Sequence, residues 1–317
     1  MCSSRNGNFY LFLQFFLTQT IFSQVIGGGP VIPQNISTKK LISHSYLREA
    51  DVMWEKRVWR IIDLREKINQ PLFYPLQPLS DRWSLWDILI HHMMKEPGSL
   101  TPYALFDLNH LADKDDQFKY PIKYNGPGDT VYFKAIDDII ASITPGVPFQ
   151  RDIGGGIMVD SMDANGNLVI NPATEIKDYL SSEDIVEWEI KEDWFFDKQR
   201  SVMDVRIVGI SPRVYMKTKD PQTGKETITG VKNLFWIYFP ELRYIIQNYF
   251  VYNRKNDAMR MSFDDLFWKR MFNSYVKKES NVFDRIITDY VEGVDALLES
   301  EKIKKEMMEI EHDMWDY

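Results

Sequence analysis

Histidines, cysteines and carboxylates at fixed spacings are what a chain would use for chemistry, and this one has five histidines. His91 and His92 are adjacent. On a helix they point about 100° apart, so they cannot grip one metal in the way an i, i+4 pair does. His44, His110 and His312 have no second histidine at ligand spacing, which favours scattered structural or surface histidines over a zinc site. Asp163-Ala-Asn-Gly166 resembles part of a calcium loop, but with Gly166 in the sixth place the twelfth falls on Pro172, where a bidentate glutamate is needed. That segment reads as a turn. Gly154-Gly-Gly156 lacks the spacing and following lysine of a phosphate-cradling loop, and no serine sits in a Gly-x-Ser-x-Gly elbow. Glu187, Glu189, Glu192 and Asp193 could supply the paired carboxylates of a glycoside hydrolase, or they could belong to an acidic surface. No catalytic, cofactor-binding or metal-ligating residue is assigned, and the chain reads as a non-enzyme without a cofactor.

The elements around these residues begin with a weakly positive start and an apolar run from Phe9 to Phe22, ending at Ser23-Gln24. This is the layout of a secretory signal peptide over residues 1–24; the alternative is an N-terminal core helix. The run is shorter than the about 20 apolar residues a membrane span needs. The only cysteine, Cys2, precedes the run, so it cannot become the lipid-modified first residue of a lipoprotein. An exported product would carry no disulfide and would draw stability from core size or from partners. Of the 317 residues, 44% are apolar and 14% aromatic, ample for a core; the net charge of −8, with no basic stripe, argues against nucleic acid. No later stretch is long enough for direct membrane insertion.

Residues 25–45 read as a flexible Gly/Pro-containing leader, either a tail or a docking arm. From 46 to 298 we expect a single α+β domain: mostly helical over 46–145, central antiparallel hairpins forming a small sheet over 150–240, and C-terminal helices over 240–298. In the first part, Trp54, Val58, Ile61 and Ile68 follow one helical face, widened by Val52, Trp59 and Ile62. Ser80 would cap a second helix through Met93, Thr101-Pro102 would open a third over Tyr103–Leu111, and Ile136 to Ile143 would form a fourth. Short strands at 157–159 and 168–170 would flank an Asn-Gly turn, and Asn171-Pro172 would start a helix toward Leu180. Val202–Tyr215 and Val231–Phe239 would pair about a tip at Asp220–Gly224. Helices would then start at Pro240, at Ser262 and near Phe283, and residues 299–317 would form a densely charged extension, solvated or partner-binding.

Aromatic and arginine density is the remaining signal: Trp188, Trp194-Phe195-Phe196, Arg200, Arg206, Arg213, then Phe235 to Phe239 with Arg243. Trp and Arg dominate interface hot spots, so part of this density points to protein–protein contacts. The partner-contact candidates are Trp54, Arg57, Trp59, Arg60, Trp194, Phe195 and Phe196; a core helix with a solvated back is the other reading of the first four.

The run Glu192 to Pro212 (EDWFFDKQRSVMDVRIVGISP) resembles the signature of the gliding-motility family GldN, called PorN in non-gliding relatives. Asp51 to Pro71 (DVMWEKRVWRIIDLREKINQP), Phe235 to Arg243 (FWIYFPELR), and Ser262 to Phe267 with Arg270 and Phe272 resemble the same family. The resemblance covers about residues 50 to 290. It implies a periplasmic component of the type IX secretion system of Bacteroidetes, associated peripherally with the outer membrane through a partner. It also implies a ring complex built by self-association with the outer-membrane lipoprotein GldK/PorK, contacted by the periplasmic part of the motor protein GldM/PorM. The family has no assigned catalytic residues. A glycoside hydrolase or a carbohydrate-binding module remains the alternative.

Overall fold

The computed structural model describes residues 41–79, 82–107, 110–114, 118–140, 161–162, 168–169, 179–219, 226–253, 256 and 260–315. All belong to one compact unit, Lys40–Tyr317. A turn of 3-10 helix at Glu49–Asp51 leads into strand β1 (Val52–Asp63), a helical turn α1 (Gln70–Phe73) and helix α2 (Leu85–Met94). Next come β2 (Pro102–Tyr103), β3 (Phe106–Asp107), β4 (His110–Lys114), α3 (Thr130–Ile140) and the short pair β5 (Ser161–Met162) and β6 (Leu168–Val169). The long strands β7 (Ile185–Asp197), β8 (Val202–Lys219) and β9 (Glu226–Asn233) are followed by β10 (Trp236–Tyr238) and α4 (Phe239–Ile246). The chain closes with β11 (Phe250–Val251), β12 (Met261–Ser262), α5 (Phe263–Trp268), β13 (Tyr275–Glu279) and α6 (Val294–Trp315).

Seven of these strands form one antiparallel sheet in the order β13-β1-β7-β8-β10-β2, with β9 also paired to β8. The fold is therefore a large antiparallel sheet with a few helices, which overturns the expected helical N-terminal part and small central sheet. Residues 46–68 are the clearest correction. Val52, Trp54, Val58, Trp59, Ile61 and Ile62 are β-branched or aromatic and suit a pleated surface. Their apparent helical stripe had to be widened because apolar groups occur on both sides of a strand buried on both faces. Val58, Trp59, Arg60, Ile61 and Ile62 are indeed consecutive buried positions. Tyr103–Leu111 likewise runs through β2, β3 and the start of β4 instead of a helix.

Helices do form where capping and 3.6-residue periodicity agree. The cap of α2 is Ser84, whose hydroxyl accepts from the Asp87 N–H at 3.1 Å, rather than Ser80. Ser262 and Asp265 make a reciprocal capping box at the start of α5. A short strand pair is found at 161–162 and 168–169. The 202–239 segment pairs as expected, although its second half is split into β9 and β10. The signal peptide, residues 25–40 of the leader, Ser80, Ile143, the 154–156 glycines, the 157–159 strand, the 163–166 turn, the helix starting at 171–172 and the 220–224 tip lie outside the described residues.

Residues directly opposite in an antiparallel pair project to the same face. Along β1 and β7 the pairs are Trp54–Phe196, Lys56–Trp194, Val58–Glu192, Arg60–Ile190 and Ile62–Trp188 on one face. That face carries the core: Ile62, Trp188, Ile190 and Ile210 pack with Trp86, Leu89, Ile136, Leu242, Phe263 and Phe267 from the helices. A satellite cluster joins Val58 and Val276 to Ile287, Ile303 and Met307, with Trp54 and Trp194 against it.

The last helix begins at Val294 rather than near Phe283, and β13 occupies part of the stretch expected to be helical. Its charged end does not simply protrude, because Ser300, Ile303 and Met307 are buried against the sheet. Ser300 Oγ accepts the buried Val276 N–H of β13 at 2.7 Å, so α6 covers an edge strand that would otherwise present an unpaired donor. Ser300→Ala is expected to destabilise the fold by about 1–3 kcal/mol, the cost of an orphaned buried N–H. Met308→Ala, on the exposed side of the same helix, should stay within about 0.5 kcal/mol. Denaturant titration of both variants checks this, and equal midpoints would show that α6 does not seal the edge.

Candidate partner-binding surface

All seven candidate contact residues lie on β1 and β7, and the pairing brings them together: Trp54 faces Phe196, and Phe195 and Trp194 face the intervening Glu55 and Lys56. Most are consumed inside the molecule. Trp59, Arg60, Phe195 and Phe196 are buried. Arg60 donates to Ser274 Oγ at 2.9 Å and to the Ser274 carbonyl at 3.1 Å. Trp54 and Trp194 pack half-buried against the α6 cluster. Arg57 retains 41% side-chain exposure and grips Asp193 through two hydrogen bonds of 2.5 and 2.7 Å.

The second face of the sheet is polar yet largely buried, which sequence reasoning missed by treating its acids as surface groups. Its rows run across the strands. One reads Lys278–Trp59–Lys191–Gly209–Tyr238 from β13 to β10. The Lys278 and Lys191 ammonium groups lie 4.6 and 5.5 Å from the Trp59 ring, a cation–π arrangement that lets both lysines approach one another's strands. Gly209 is required in this row, because a Cβ there would stand 2.4 Å from Phe118 Cζ. Phe118 uses the gap to pack edge-on against Tyr103, Trp236 and Tyr238.

The carboxylates considered for hydrolysis are each matched by a cation. Glu189 accepts from Lys277 Nζ at 2.8 and 2.9 Å and from Asn233 at 2.9 Å. Glu187 accepts from Arg213 at 2.5 Å, and the same guanidinium lies 3.7 Å from Glu189. Burial pushes the Glu187 carboxyl above its ordinary value, with Arg213 opposing the shift. Glu192, on the core face, is fully buried and held by Arg270 at 2.7 and 3.1 Å and by the Trp194 indole N–H at 3.0 Å. These groups neutralise one another across strands; none presents a free carboxyl pair to a cleft. Among the described aromatics of the sheet, Trp59, Trp188, Phe195, Phe196 and Trp236 are buried and so offer no exposed face to a sugar.

The arginines flagged as interface material are also engaged internally. Arg206 stacks on Phe195 at 5.1 Å and donates to the Ser45 carbonyl at 2.6 Å. Arg243 pairs with Asp264 at 2.7 Å, donates to the Ile42 carbonyl at 2.8 Å and lies 4.9 Å from the Trp268 ring. The His44 ring packs on that tryptophan at 4.9 Å. Two arginines and an aromatic contact thus fasten residues 42–45, the end of the expected leader, to the folded unit.

Two grooves open to solvent border the N-terminal half of β1. A groove of about 480 Å³ is lined by Leu47, Arg48, Glu49, Val52, Met53, Trp54, Glu55 and Arg206. Another, of about 580 Å³, is lined by Trp54, Glu55, Lys56, Arg57, Ser280 and Ile310. Trp54 and Glu55 border both grooves. The Ser280 N–H donates to the Arg57 carbonyl at 2.8 Å, so the exposed Val282 and Phe283 continue from this end. Exposed apolar groups beside Trp and Arg are what a protein interface uses. Of the seven candidates, Trp54 and Arg57 lie here.

The histidines are arranged differently from the sequence expectation. His91, His92 and Glu96 each bring one ligand-type atom to within 4.8 Å of the others. Glu96 was the residue overlooked; it stands four positions after His92.

An antiparallel-sheet protein with its acids paired internally, and its open grooves at one end of a strand, has the features of a binding or assembly component. The family described as "Gliding motility associated protein GldN" matches residues 47–316, and the chain belongs to that family. It is accordingly a gliding-motility component. No curated protein matches the chain with significance. Among the described residues no helix is long and apolar enough to cross a membrane.

The strap at 42–45 gives a pH test. Burial first, then Arg243 and Arg206, hold the His44 imidazole below its ordinary value of 6.5, while Asp204 and Asp264 act the other way. The docked ring therefore binds a proton later than the free ring as pH falls. Docking is fully favourable above about 6.5 and weakens as pH drops below it. Amide exchange of residues 42–47, corrected for intrinsic rates, should be faster at about pH 5.5 than at about pH 7.5, and His44→Gln should remove the difference. Equal protection at the two values in the unaltered chain would count against the strap.

Proposed function

We propose that the chain is a structural subunit of the type IX secretion and gliding machinery, working in the periplasm. In this reading it forms a ring with an outer-membrane lipoprotein of the GldK/PorK kind and is contacted by the periplasmic part of a GldM/PorM-type motor protein. The family match over residues 47–316 is the observation that carries it. Three features support it. The layout of residues 1–24 suits export, and the single Cys2 lies ahead of the apolar run, so a partner's lipid would provide the anchor. The carboxylates that could have served a hydrolase are paired with Arg213, Lys277, Arg270 and Arg57. The grooves on either side of Trp54 and Glu55 offer an apolar and charged surface for a protein partner.

Co-purification from the native outer membrane tests the reading: the chain should be recovered in a large assembly with the lipoprotein, and recovery as a lone monomer would overturn it. Glu55→Lys reverses a charge at the border of both grooves without touching the core. If those grooves are the contact, it should cut recovery of the lipoprotein about thirtyfold, the effect of losing one hot spot of about 2 kcal/mol, while the melting temperature stays unchanged. Undiminished recovery would move the interface elsewhere.

A further inference from the structure

We propose that His91, His92 and Glu96, at the C-terminal end of α2, form a site for a divalent metal of the zinc type. Three separate observations converge there. One ligand atom of each residue lies within 4.8 Å of the other two, close enough for small side-chain rotations to bring them onto one ion. His91 Nδ1 is buried and has no hydrogen-bond partner, a lone donor or acceptor that a native interior rarely leaves idle. The His92 ring is oriented from behind: its Nε2 lies 3.0 Å from the Tyr249 hydroxyl, while its Nδ1 lies 3.1 Å from Glu96 Oε2 and 3.0 Å from Ser99 Oγ. A hydroxyl on the far ring nitrogen is the kind of outer partner that fixes a metal-binding histidine.

Local structure explains why neighbours that diverge on an ideal helix can cooperate here. The helix ends at Met94, and the Lys95 and Glu96 N–H groups both return to the His91 carbonyl, at 2.8 and 3.1 Å. This folds Glu96 back over the last turn. The His91 ring stands edge-on to Trp83 at 5.0 Å, and the His92 ring edge-on to Tyr249 at 5.8 Å, so both imidazoles have aromatic walls. The negative end of the helix dipole favours a cation at this position. Two imidazoles and one carboxylate suit zinc, and by the general affinity order copper or nickel would bind as well. On binding, His92 offers the Nδ1 lone pair and keeps its one proton on Nε2, donated to Tyr249; the proton moves between ring nitrogens and no oxidant or reductant is needed. Glu96, with 56% side-chain exposure, leaves the site open to solvent, where water would complete the coordination. The bound ion would staple the 95–99 loop to α2 and, through Tyr249, to the segment after α4.

The test is calorimetric titration of the chelator-treated chain with zinc alone, together with cobalt as a spectroscopic probe. The expected result is saturable one-to-one binding and visible d–d bands. His91→Asn combined with Glu96→Gln should weaken zinc binding by at least about tenfold and remove the cobalt bands, with the metal-free melting temperature unchanged. His91→Asn alone, which keeps the exposed carboxylate, serves if the double variant is unstable and should also lose the bands. Absence of saturable binding would overturn the site. So would binding that survives both variants, since it would then belong to other histidines.

Discussion

The pairing of β1 with β7, registered from Val52–Asp197 to Asp63–Glu187, is the constraint on which everything else in the molecule depends. It sends Val58 and Ile62 to the core face together with Trp188 and Ile190, and it commits Trp59, Lys191, Glu189 and Glu187 to the other. A slip of one residue would exchange these sets. The core would then receive a row of charges, and the polar face would present tryptophans and isoleucines. The bidentate Arg57–Asp193 contact and the Trp59–Lys191 stack both require this register.

Burying charge on such a scale carries a cost that geometry must offset. Removing one member of a buried ion pair typically costs 3–5 kcal/mol, about as much as a large core truncation. Glu192 with Arg270, and Glu189 with Lys277, therefore fix strand register and the position of the β13 side rather than providing reactivity. For a chain without disulfides in its folded unit, this cross-strand matching is one source of rigidity, and the aromatic stacking around Phe118 and Gly209 is another.

Capped helices were legible in the sequence: Ser262 with Asp265 specified the start of α5, and Pro240 stood where α4 begins. The strands were harder. β1 carries apolar groups at 54, 58, 61 and 62, which fits helical spacing as well as a strand buried on both sides, and only partners distant in sequence decide between them. β7 hid for a related reason. Its glutamates look like surface residues until Arg213, Lys277 and Arg270 arrive from other strands and loops to neutralise them. Of the candidate contact residues, Trp54 and Arg57 border the grooves, whereas Phe195, Phe196, Trp59 and Arg60 are buried within the folded unit, a difference that depends on which strands pair and that residue type alone does not carry. The two longest runs that resemble the family, 51–71 and 192–212, fold as β1 with its following turn and as parts of β7 and β8.

These elements leave the sheet's acids paired within the folded unit and two grooves open beside the N-terminal half of β1. In the proposed function, partners meet the chain beside the N-terminal half of β1 while the charged sheet face remains sealed within the subunit. Electron cryomicroscopy of the proposed outer-membrane assembly is the most direct measurement. Density from a neighbouring protein is expected against Trp54, Glu55 and Arg57, with Glu187 and Glu189 still closed over Arg213 and Lys277. A map in which those glutamates face a partner or a ligand, and the Trp54 grooves stand empty, would contradict it.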